Sequence, residues 1–213
     1  MSIPFITAEE AASYIKNGDN VGFSGFTASG TPKVVTVALA ERAKQLHEQG
    51  EEFKINVFTG ASTNDHVDGE LARAKAINLR IPYQSHKDSR AGINSGEIQY
   101  FDSHLSHVSQ DLRYGFYGDL DVAVIEATEM SPNGDVILGA GLGMSPTVAM
   151  MAKKIIIEYS SYYHNSFRGF HDNYVPLDPP YRREIPIYKP SDRIGDTVLH
   201  IDPKKICLLY TSP

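Results

Sequence analysis

Short apolar segments alternate with segments of helical periodicity along most of the chain, and this alternation predicts the fold. Apolar runs typical of buried strands lie at 21–24, 54–58, 77–81, 121–127 and 154–159, with weaker ones at 136–138 and 197–201. Helical spacing or a helix start signal marks 7–18, 31–50, 68–76, 88–94, 103–113 and 145–153. The first of these helices starts with a predicted capping box, formed by Thr7 and Glu10. This order of elements favours an α/β fold, with an open, mostly parallel sheet and helices on both faces.

The first strand runs into a glycine-rich loop and then into a helix start. Gly25 and Gly30 bound the loop, Thr31 is the predicted N-cap, Pro32 suits the first helical position and Gly50 ends the helix. Such a turn brings backbone N–H groups and the positive end of the helix dipole together, which suits an anion or a polarised carbonyl. A tight turn without any ligand is the alternative, and the loop by itself favours it.

The same order of glycine loop, Ser or Thr, Pro and helix recurs at 139–146, and a third small-residue loop begins at Gly60. In a parallel sheet all three loops lie at the carboxyl ends of strands, where α/β sheets bind ligands. Neither of the first two loops fits a known signature. The second has Met144 where the dinucleotide-binding motif GxGxxG has its last glycine, and neither ends in the GK[ST] of a phosphate-binding P-loop. The first has Phe26 where the serine-hydrolase motif GxSxG has its last glycine. The spacing therefore argues against nucleotide binding and against a serine hydrolase.

Composition narrows the class of partner. The 213 residues carry a net charge of -6 and no run of Lys or Arg longer than two, which argues against nucleic acid. The single cysteine, Cys207, excludes an intrachain disulfide and fits a reducing compartment. The first residues do not resemble a signal peptide, and the apolar runs are far shorter than the roughly 18 residues of a membrane span. We therefore expect a cytoplasmic protein without a membrane partner.

Three side chains within predicted elements could carry chemistry. His104 and His107 are three residues apart on a predicted helix, a spacing that a metal pair permits. No Cys or well-placed acid supports them, so a solvated or capping role is favoured and no metal site is predicted. Glu126 ends the clearest strand and could be a nucleophile or base. A buried carboxylate satisfied by backbone N–H groups is the favoured interpretation.

Residues 160–196 are rich in Pro, Tyr, Arg and Asp and show neither helical nor strand periodicity. A long irregular stretch in a compact protein is either functional or a wrap-around connection. Arg182, Arg183 and Arg193 in this stretch could meet an anionic ligand. Solvated or ion-paired arginines are favoured for the first two, whereas both interpretations are equally open for Arg193.

Several long motifs, in chain order, resemble one known family: GFSGFTASGTPKVV, FTGAST followed by DGELARA, AGINSGEIQYFDSHLSHV, GDLDVAVIEATE and HDNYVPLDPPYRREIPIYKPSDRIG. They resemble the amino-terminal domain of the acetyl-CoA hydrolase/transferase family, class I CoA-transferases of the succinyl-CoA:acetate and propionyl-CoA:succinate type. The resemblance implies a NagB/RpiA-like α/β domain over 1–206, without the carboxyl-terminal catalytic domain. Residues 207–213 do not resemble the family, and we expect a truncation point there.

The resemblance implies an enzyme that moves CoA between small carboxylic acids such as acetate, succinate and propionate. A glutamate attacks the acyl-CoA thioester, an acyl-glutamyl anhydride forms, and CoA returns to give a glutamyl-CoA thioester. In the family this glutamate lies in the carboxyl-terminal domain, so no residue of this chain is the expected nucleophile. Coenzyme A is then a substrate, no cofactor is permanently bound, and the full-length protein is expected to be a homodimer. The alternatives are an acetyl-CoA hydrolase and a catalytically silent binding or assembly fragment.

Three residues of this chain match positions that line the active-site cleft in the family: Ser62 of FTGAST, Ser85 of PYQSHKD and Arg193 of KPSDRIG. The resemblance implies that the serines hydrogen-bond the carboxylate or the glutamate, while Arg193 compensates negative charge. Gly25, Gly30 and Gly60 are the expected substrate-binding positions, where the backbone can approach a ligand closely.

Overall fold

The computed structural model of the protein describes residues 5–163 and 166–212, with side chains described as far as residue 206. The strands are β1 (Asn20–Phe23), β2 (Ile55–Phe58), β3 (Ile77–Ile81), β4 (Gln99–Tyr100), β5 (Val122–Met130), β6 (Asp135–Leu138), β7 (Lys154–Ser160), β8 (Leu199–His200) and β9 (Ile206–Ser212). The helices are α1 (Ala8–Ser13), α2 (Val34–Glu48), α3 (Glu70–Arg73), α4 (Lys87–Asn94), α5 (Leu105–Arg113) and α6 (Ser145–Met151), with a π-helical turn, Asp65–Gly69, before α3.

The parallel strands of the sheet lie in the order β4-β3-β2-β1-β5-β7-β9. The chain builds outward from β1 to β4 in one direction and then from β5 to β9 in the other. The order therefore reverses between β1 and β5, and such switch points are where α/β sheets bind ligands. Beyond the end of β1, β6 pairs antiparallel with the last part of β5, and β8 pairs antiparallel with β6.

Two apolar cores lie on opposite faces of the sheet, so the predicted α/β fold with helices on both faces is confirmed. Leu39 of α2 belongs to the first core, which also takes buried residues of α1 and α3. Val148 of α6 belongs to the second core, together with residues of α5. Successive residues of β5 divide between the cores, since Val124 packs in the first and Ile125 in the second. This period-two alternation, apolar on both faces, explains why the central strand reads as a continuous apolar run.

Helix starts are partly as predicted. The capping box before α1 is present: the N–H of Thr7 donates to Glu10 Oε2 (2.9 Å) and the N–H of Glu10 donates to Thr7 Oγ1 (3.1 Å). The next helix begins later than predicted, at Val34, and Pro32 therefore precedes it. Gly50 ends that helix as predicted, with a φ of 79° and its N–H donating to the carbonyl of His47 (3.0 Å).

Other differences concern short elements. The helix predicted at 68–76 is shorter, Glu70–Arg73, and follows a π-helical turn that Asn64 caps by accepting the N–H of Val67 (2.9 Å). The strand predicted at 197–201 shrinks to β8, since two residues pair with β6. The two-residue β4 is too short for a periodicity signal and was not predicted. Residues 160–196 carry no helix or strand beyond the last residue of β7, as far as they are described.

Among the described helices, none has the length and apolar composition that crossing a bilayer requires.

The two glycine loops that resemble each other in sequence pack against each other, backbone to backbone. A Cβ on Gly30 would lie 2.5 Å from the carbonyl oxygen and 2.8 Å from the nitrogen of Gly141. A Cβ on Gly143 would likewise collide with the carbonyl of Gly25. Since main-chain atoms cannot move aside as a flexible side chain can, these glycines are required by packing between loops.

Replacing Gly30 with alanine tests this packing. We expect Gly30→Ala to lower the free energy of unfolding by at least about 3 kcal/mol, because the new methyl group meets main-chain atoms of the other loop. Gly50→Ala is the matched control: Gly50 also has a positive φ, but nothing lies within 4 Å of its Cβ position. The control should lose only the left-handed backbone cost, about 1 kcal/mol. Urea unfolding of both variants gives the comparison, and equal losses would contradict close packing.

His200 of β8 bridges two carboxylates at the far edge of the sheet. Its Nδ1 lies 2.7 Å from Asp135 Oδ1 and its Nε2 lies 3.1 Å from Asp196 Oδ2. A carboxylate accepts hydrogen bonds, so this geometry favours the doubly protonated, charged imidazole. The hydrogen bonds that His200 donates to Asp196 and Asp135 raise the pKa of His200 above its usual value, and the bond from His200 lowers the pKa of Asp196.

Stability should therefore fall with rising pH in the range where His200 titrates. A histidine whose pKa is raised on folding stabilises the protein fully below its unfolded pKa of about 6.5, and this contribution is lost as pH rises through the folded pKa. We expect the melting temperatures of the protein and of His200→Gln to differ at pH 6 and to converge at pH 8.5. The lowered pKa of Asp196 does not enter this window, because its contribution is lost only under acid conditions. A difference that stays constant from pH 6 to 8.5 would contradict the bridge.

Candidate active site

The candidate site lies at the carboxyl end of β1 and beside the middle of β5, where the strand order reverses. Ser24, the residue after β1, joins both strands to the first glycine loop. Its hydroxyl accepts the N–H of Glu126 from β5 (2.9 Å) and donates to the carbonyl of Gly30 (2.7 Å). The loops that follow β2 and β3 begin at the same edge of the sheet, because these strands run parallel to β1. The predicted residues on these loops are Gly25, Gly30, Gly60, Ser62 and Ser85.

Two glutamates lie side by side on β5 and β7. The prediction that Glu126 ends its strand is wrong, because β5 continues to Met130, where it pairs with β6. Glu126 and Glu158 are directly paired in the sheet register and are 2% and 1% exposed. Lys33 compensates the first: its Nζ forms an ion pair with Oε2 of Glu126 and also donates to the carbonyl of Thr31 (3.0 Å). The expected burial of Glu126 is confirmed, but its side-chain partner is an ammonium group rather than backbone N–H groups.

The carboxylate of Glu158 occupies the amino-terminal end of α2. It accepts the backbone N–H groups of Lys33 (2.7 Å), Val34 (3.1 Å) and Val35 (3.0 Å). The N-cap predicted at Thr31 is therefore wrong, because a distant strand supplies the cap. The helix end does hold an anion, as its chemistry predicts, but that anion belongs to the protein. Burial raises the pKa of Glu158, and the three N–H groups oppose that rise.

The hydroxyl of Ser62 is enclosed between two loops. Ser62 is fully buried, and its Oγ donates to the carbonyl of Thr27 (3.1 Å) while it accepts Nδ2 of Asn64 (3.0 Å). The next residue, Thr63, reaches the following loop, where its Oγ1 lies 3.0 Å from Oγ of Ser85. Ser85 is exposed. The two predicted serines thus belong to one hydrogen-bonded region, with Ser62 at its closed end and Ser85 at its open end.

A buried ion pair holds these two loops together. Arg80 and Asp68 are both fully buried, and Nε of Arg80 lies 2.7 Å from Oδ1 of Asp68. Arg80 also donates to the carbonyl of Ser62 (2.8 Å). Gln84 donates to the same carboxylate oxygen (2.6 Å) and accepts the hydroxyl of Thr63 (2.9 Å). Removing one member of a buried pair costs about 3–5 kcal/mol, so any movement of the loops that separates Arg80 from Asp68 is strongly disfavoured.

Arg193 lies in the long irregular segment and uses all three of its guanidinium nitrogens on that segment. It donates to Asp172 Oδ1 (2.5 Å), to the carbonyl of Gly169 (2.8 Å) and to the carbonyl of His171 (3.0 Å). The bond from Arg193 holds the pKa of Asp172 below its usual value. His171 is buried, and its Nε2 donates to the carbonyl of Gly139 (2.5 Å) in the second glycine loop. Arg193 is therefore connected to the candidate site through the segment that it folds.

One cluster has the donor atoms of a metal site. Single ligand atoms of Asp65, His86 and Asp88 all lie within 4.8 Å of one another. Arg73 lies among them, however, and its Nη1 donates to both Asp65 (2.8 Å) and Asp88 (2.7 Å). The hydrogen bond from Arg73 also holds the pKa of Asp65 below its usual value. Since a guanidinium already balances the two carboxylates, the cluster is an ion-pair network beside the Ser85 loop.

Three other candidate side chains lie on α5 or contact it. His104 and His107 are exposed, with ring centroids 5.7 Å apart, and they join no three-ligand cluster among the described residues. His104 occupies the N-cap position but makes no side-chain cap, so the solvated interpretation is the one that fits. Arg182 donates to Gln110 (2.6 Å) and to the hydroxyl of Tyr114 (3.2 Å), as expected for an arginine with partners on the protein surface.

Sequence reasoning missed the charged groups that support the site. Neither the role of Lys33 nor the capping by Glu158 was predicted, and the Arg80–Asp68 pair was not recognised. One signal was available for the glutamates: each interrupts an otherwise apolar strand, in VIEA and in IIIE. A single carboxylate at a buried strand position requires a partner. The identity of that partner depends on which strands become neighbours, and the sequence pattern does not give it.

Two solved structures show the same fold. RipA from Yersinia pestis matches 98% of this chain with a TM-score of 0.63 and 19% identity, over 42% of its own length. Glutaconate coenzyme A-transferase from Acidaminococcus fermentans also has a TM-score of 0.63, with 14% identity over 98% of this chain and 75% of that one. At this level of identity the likeness concerns the fold.

Sequence relatives are closer. A propanoyl-CoA:succinate CoA transferase of Escherichia coli is 43% identical over 94% of this chain and 41% of that protein. An acetyl-CoA hydrolase of Schizosaccharomyces pombe is 42% identical over 91% of this chain and 38% of that protein. The chain thus spans about two fifths of the length of these relatives. The profile of the acetyl-CoA hydrolase/transferase N-terminal domain matches residues 3–209. With its fold and most of its length matched, the chain belongs to the acetyl-CoA hydrolase/transferase family and carries the amino-terminal domain of that family.

Proposed function

We propose that this chain forms the carboxylate-facing wall of an acyl-CoA:carboxylate CoA-transferase whose nucleophilic glutamate lies in a separate, carboxyl-terminal domain. The observation that supports this most is a continuous set of contacts along one edge of the sheet. The two glycine loops pack together at the switch point, Ser62 bonds to Thr27 of the first loop, and Thr63 contacts Ser85. Coenzyme A and small acids such as acetate, propionate and succinate would be its substrates, without a permanently bound cofactor. We place the full-length protein in the cytoplasm as a homodimer.

Neither half of the proposed reaction needs a cofactor, because the glutamate and the CoA thiolate supply the groups that are exchanged. The glutamate oxygen attacks the thioester carbon, the carbon–sulfur bond breaks and the CoA thiolate leaves, so an acyl-glutamyl anhydride forms. The thiolate then attacks the glutamyl carbonyl, which gives a glutamyl-CoA thioester and releases the acid. The second acid reverses these steps. Hydroxyl and N–H donors at a fixed edge stabilise the oxyanions of such steps because they need no reorganisation during the reaction.

Within this wall, the exposed hydroxyl of Ser85 suits a direct hydrogen bond to a carboxylate, whereas the buried hydroxyl of Ser62 suits support of its neighbours. Gly25, Gly30 and Gly60 would contribute by shaping the loops, since all three are buried and the Cβ positions of Gly30 and Gly60 face Gly141 and Met144. Arg193 would act as a positioning residue, because its nitrogens already bind its own segment.

A hydrolase is the second candidate. Its support is that the acetyl-CoA hydrolase of Schizosaccharomyces pombe is 42% identical to this chain, nearly as similar as the Escherichia coli transferase at 43%. The two reactions share the thioester and differ in the acceptor, which is water for one and a carboxylate for the other. Access of water to the finished site would decide between them.

The assay that separates these candidates uses the full-length polypeptide with succinyl-CoA and acetate. We expect acetyl-CoA to form faster than free thiol is released, because the acid and the glutamate meet at a donor-rich wall. Free thiol in excess of acetyl-CoA would favour the hydrolase. The 213-residue chain assayed alone should turn over neither substrate, since no nucleophile is assigned to it. Turnover by the chain alone would overturn the assignment of the nucleophile to another domain.

The positioning role of Arg193 can be measured in the same assay. We expect Arg193→Ala to lower kcat/KM about 30-fold, or about 2 kcal/mol, because the segment carrying His171 loses its anchor to Gly139. Asp172→Ala should reproduce much of this loss, and the double variant should be little worse than Arg193→Ala. Arg182→Ala, at a surface arginine of the same segment, serves as the control and should change kcat/KM less than twofold. If Arg193→Ala loses only a few tenths of a kcal/mol of transition-state stabilisation, Arg193 is an ordinary surface arginine and the positioning role is wrong.

A further inference from the structure

Thr27 adopts a backbone conformation that its side chain disfavours. Its φ is 52°, in the left-handed region, where a β-branched residue is a genuine outlier. Phe26 and Ser29 exchange backbone hydrogen bonds (2.9 and 3.0 Å), so Thr27 is the first central residue of a two-residue hairpin turn. Glycine is favoured at this position of the turns that have a positive φ there. The turn would form with less strain if position 27 were glycine.

The loop after β2 holds Thr27 in this conformation from both sides of its peptide. The N–H of Thr27 donates to the carbonyl of Ala61 (3.1 Å). Its carbonyl accepts the N–H of Thr63 (3.3 Å), the hydroxyl of Ser62 (3.1 Å) and Nδ2 of Asn64 (3.4 Å). A strained residue persists when its surroundings over-determine it, and such residues cluster at ligand sites.

The hydroxyl groups of Thr27 and Ser62 are in opposite situations. A serine hydroxyl has one proton, and Ser62 donates that proton to the carbonyl of Thr27. Ser62 is also fully buried, so it has no proton left to give to a ligand. The side chain of Thr27 is exposed at the same edge, and its hydroxyl makes no hydrogen bond to a described residue. Thr27 therefore offers an open hydroxyl donor at this place, which Ser62 does not.

We propose that Thr27 is a further ligand-contacting residue of the carboxylate site, and that Ser62 acts as a positioning residue by holding Thr27 in its left-handed conformation. This rests on the proposed function, since it names the donor that meets the small carboxylate. The hydroxyl of Thr27 donates to a carboxylate oxygen, and its methyl group limits the size of the acid beside it. Thr27 thereby also contributes to the choice between acids of different length.

Stability measurements test the strain. Thr27→Gly should raise the melting temperature of the 213-residue chain by about 2–5 °C, because glycine relieves the left-handed strain. Lys75 is the matched control, since it is the other non-glycine residue with a positive φ in the described part of the chain, at 56°. Lys75→Gly should raise the melting temperature by a similar amount. A lower melting temperature for Thr27→Gly would show that the conformation is not strained and would overturn this part of the proposal.

Kinetics test the contact in the full-length polypeptide. We expect KM for the acceptor carboxylate to rise about tenfold in Thr27→Ala and in Thr27→Gly, as for a lost hydrogen bond to a charged group. Thr27→Ser keeps the hydroxyl and should stay within twofold of the unchanged protein. Lys75→Gly should leave KM unchanged, which separates the contact from a general effect of stability. A KM that stays within twofold in Thr27→Ala would overturn the contact.

A ligand titration separates this inference from the proposed function. Sodium succinate is added to the ¹⁵N-labelled 213-residue chain, with sodium chloride at matched ionic strength as the control. We expect succinate, and not chloride, to shift the amide signals of Thr27 and its neighbour Ala28, and Thr27→Ala to lose the response. If the full-length polypeptide neither transfers CoA nor hydrolyses acyl-CoA, the proposed function fails, while a succinate response at Thr27 still supports the site. The absence of a response in the unchanged chain would overturn the site.

Discussion

Lys33 compensates two buried carboxylates at once, and the shape of the switch point depends on this double role. Its backbone N–H donates to Glu158, while its side-chain ammonium pairs with Glu126. Both carboxylates are almost completely buried, and a buried charge without a partner costs several kcal/mol. Because Lys33 immediately precedes α2, these contacts fix the start of that helix against β5 and β7. As a result, the last residues of the glycine loop, which lead into α2, are held in place.

At the site, buried groups hold the loops together, while exposed hydroxyl groups remain at the edge of the sheet. Glycine backbones meet each other between the first and second loops, and the Arg80–Asp68 pair links the loops that carry Ser62 and Ser85. These buried contacts leave little freedom to the exposed hydroxyls at the edge. Preorganised donors of this kind serve a reaction that generates charge, because their orientation does not have to change as the charge develops.

The comparison structures share the fold at 14–19% identity, so this architecture forms from sequences that differ at most positions. Alternating apolar positions on β5 and apolar faces on the helices suffice to place a parallel sheet between two helical layers. The buried Glu126 and Glu158 at the switch point lie outside this apolar pattern and are held by polar contacts instead.

The sequence by itself determined the class of fold, the alternation of strands and helices, and the positions of the loops that meet at the ligand edge. These follow from local signals: the apolar period along each strand, the capping box at Thr7 and Glu10, and glycine at the helix end at Gly50. The tertiary structure decided which groups inside those loops remain available. Thr31 lost its predicted capping role because Glu158, more than a hundred residues later, reaches the same N–H groups. Ser62 was recognisable by motif, yet its proton is committed to Thr27, a contact between two loops that become neighbours only when β1 and β2 pair. A hydroxyl has a single proton to donate, so whether that proton is available to a ligand depends on every acceptor that folding brings near it.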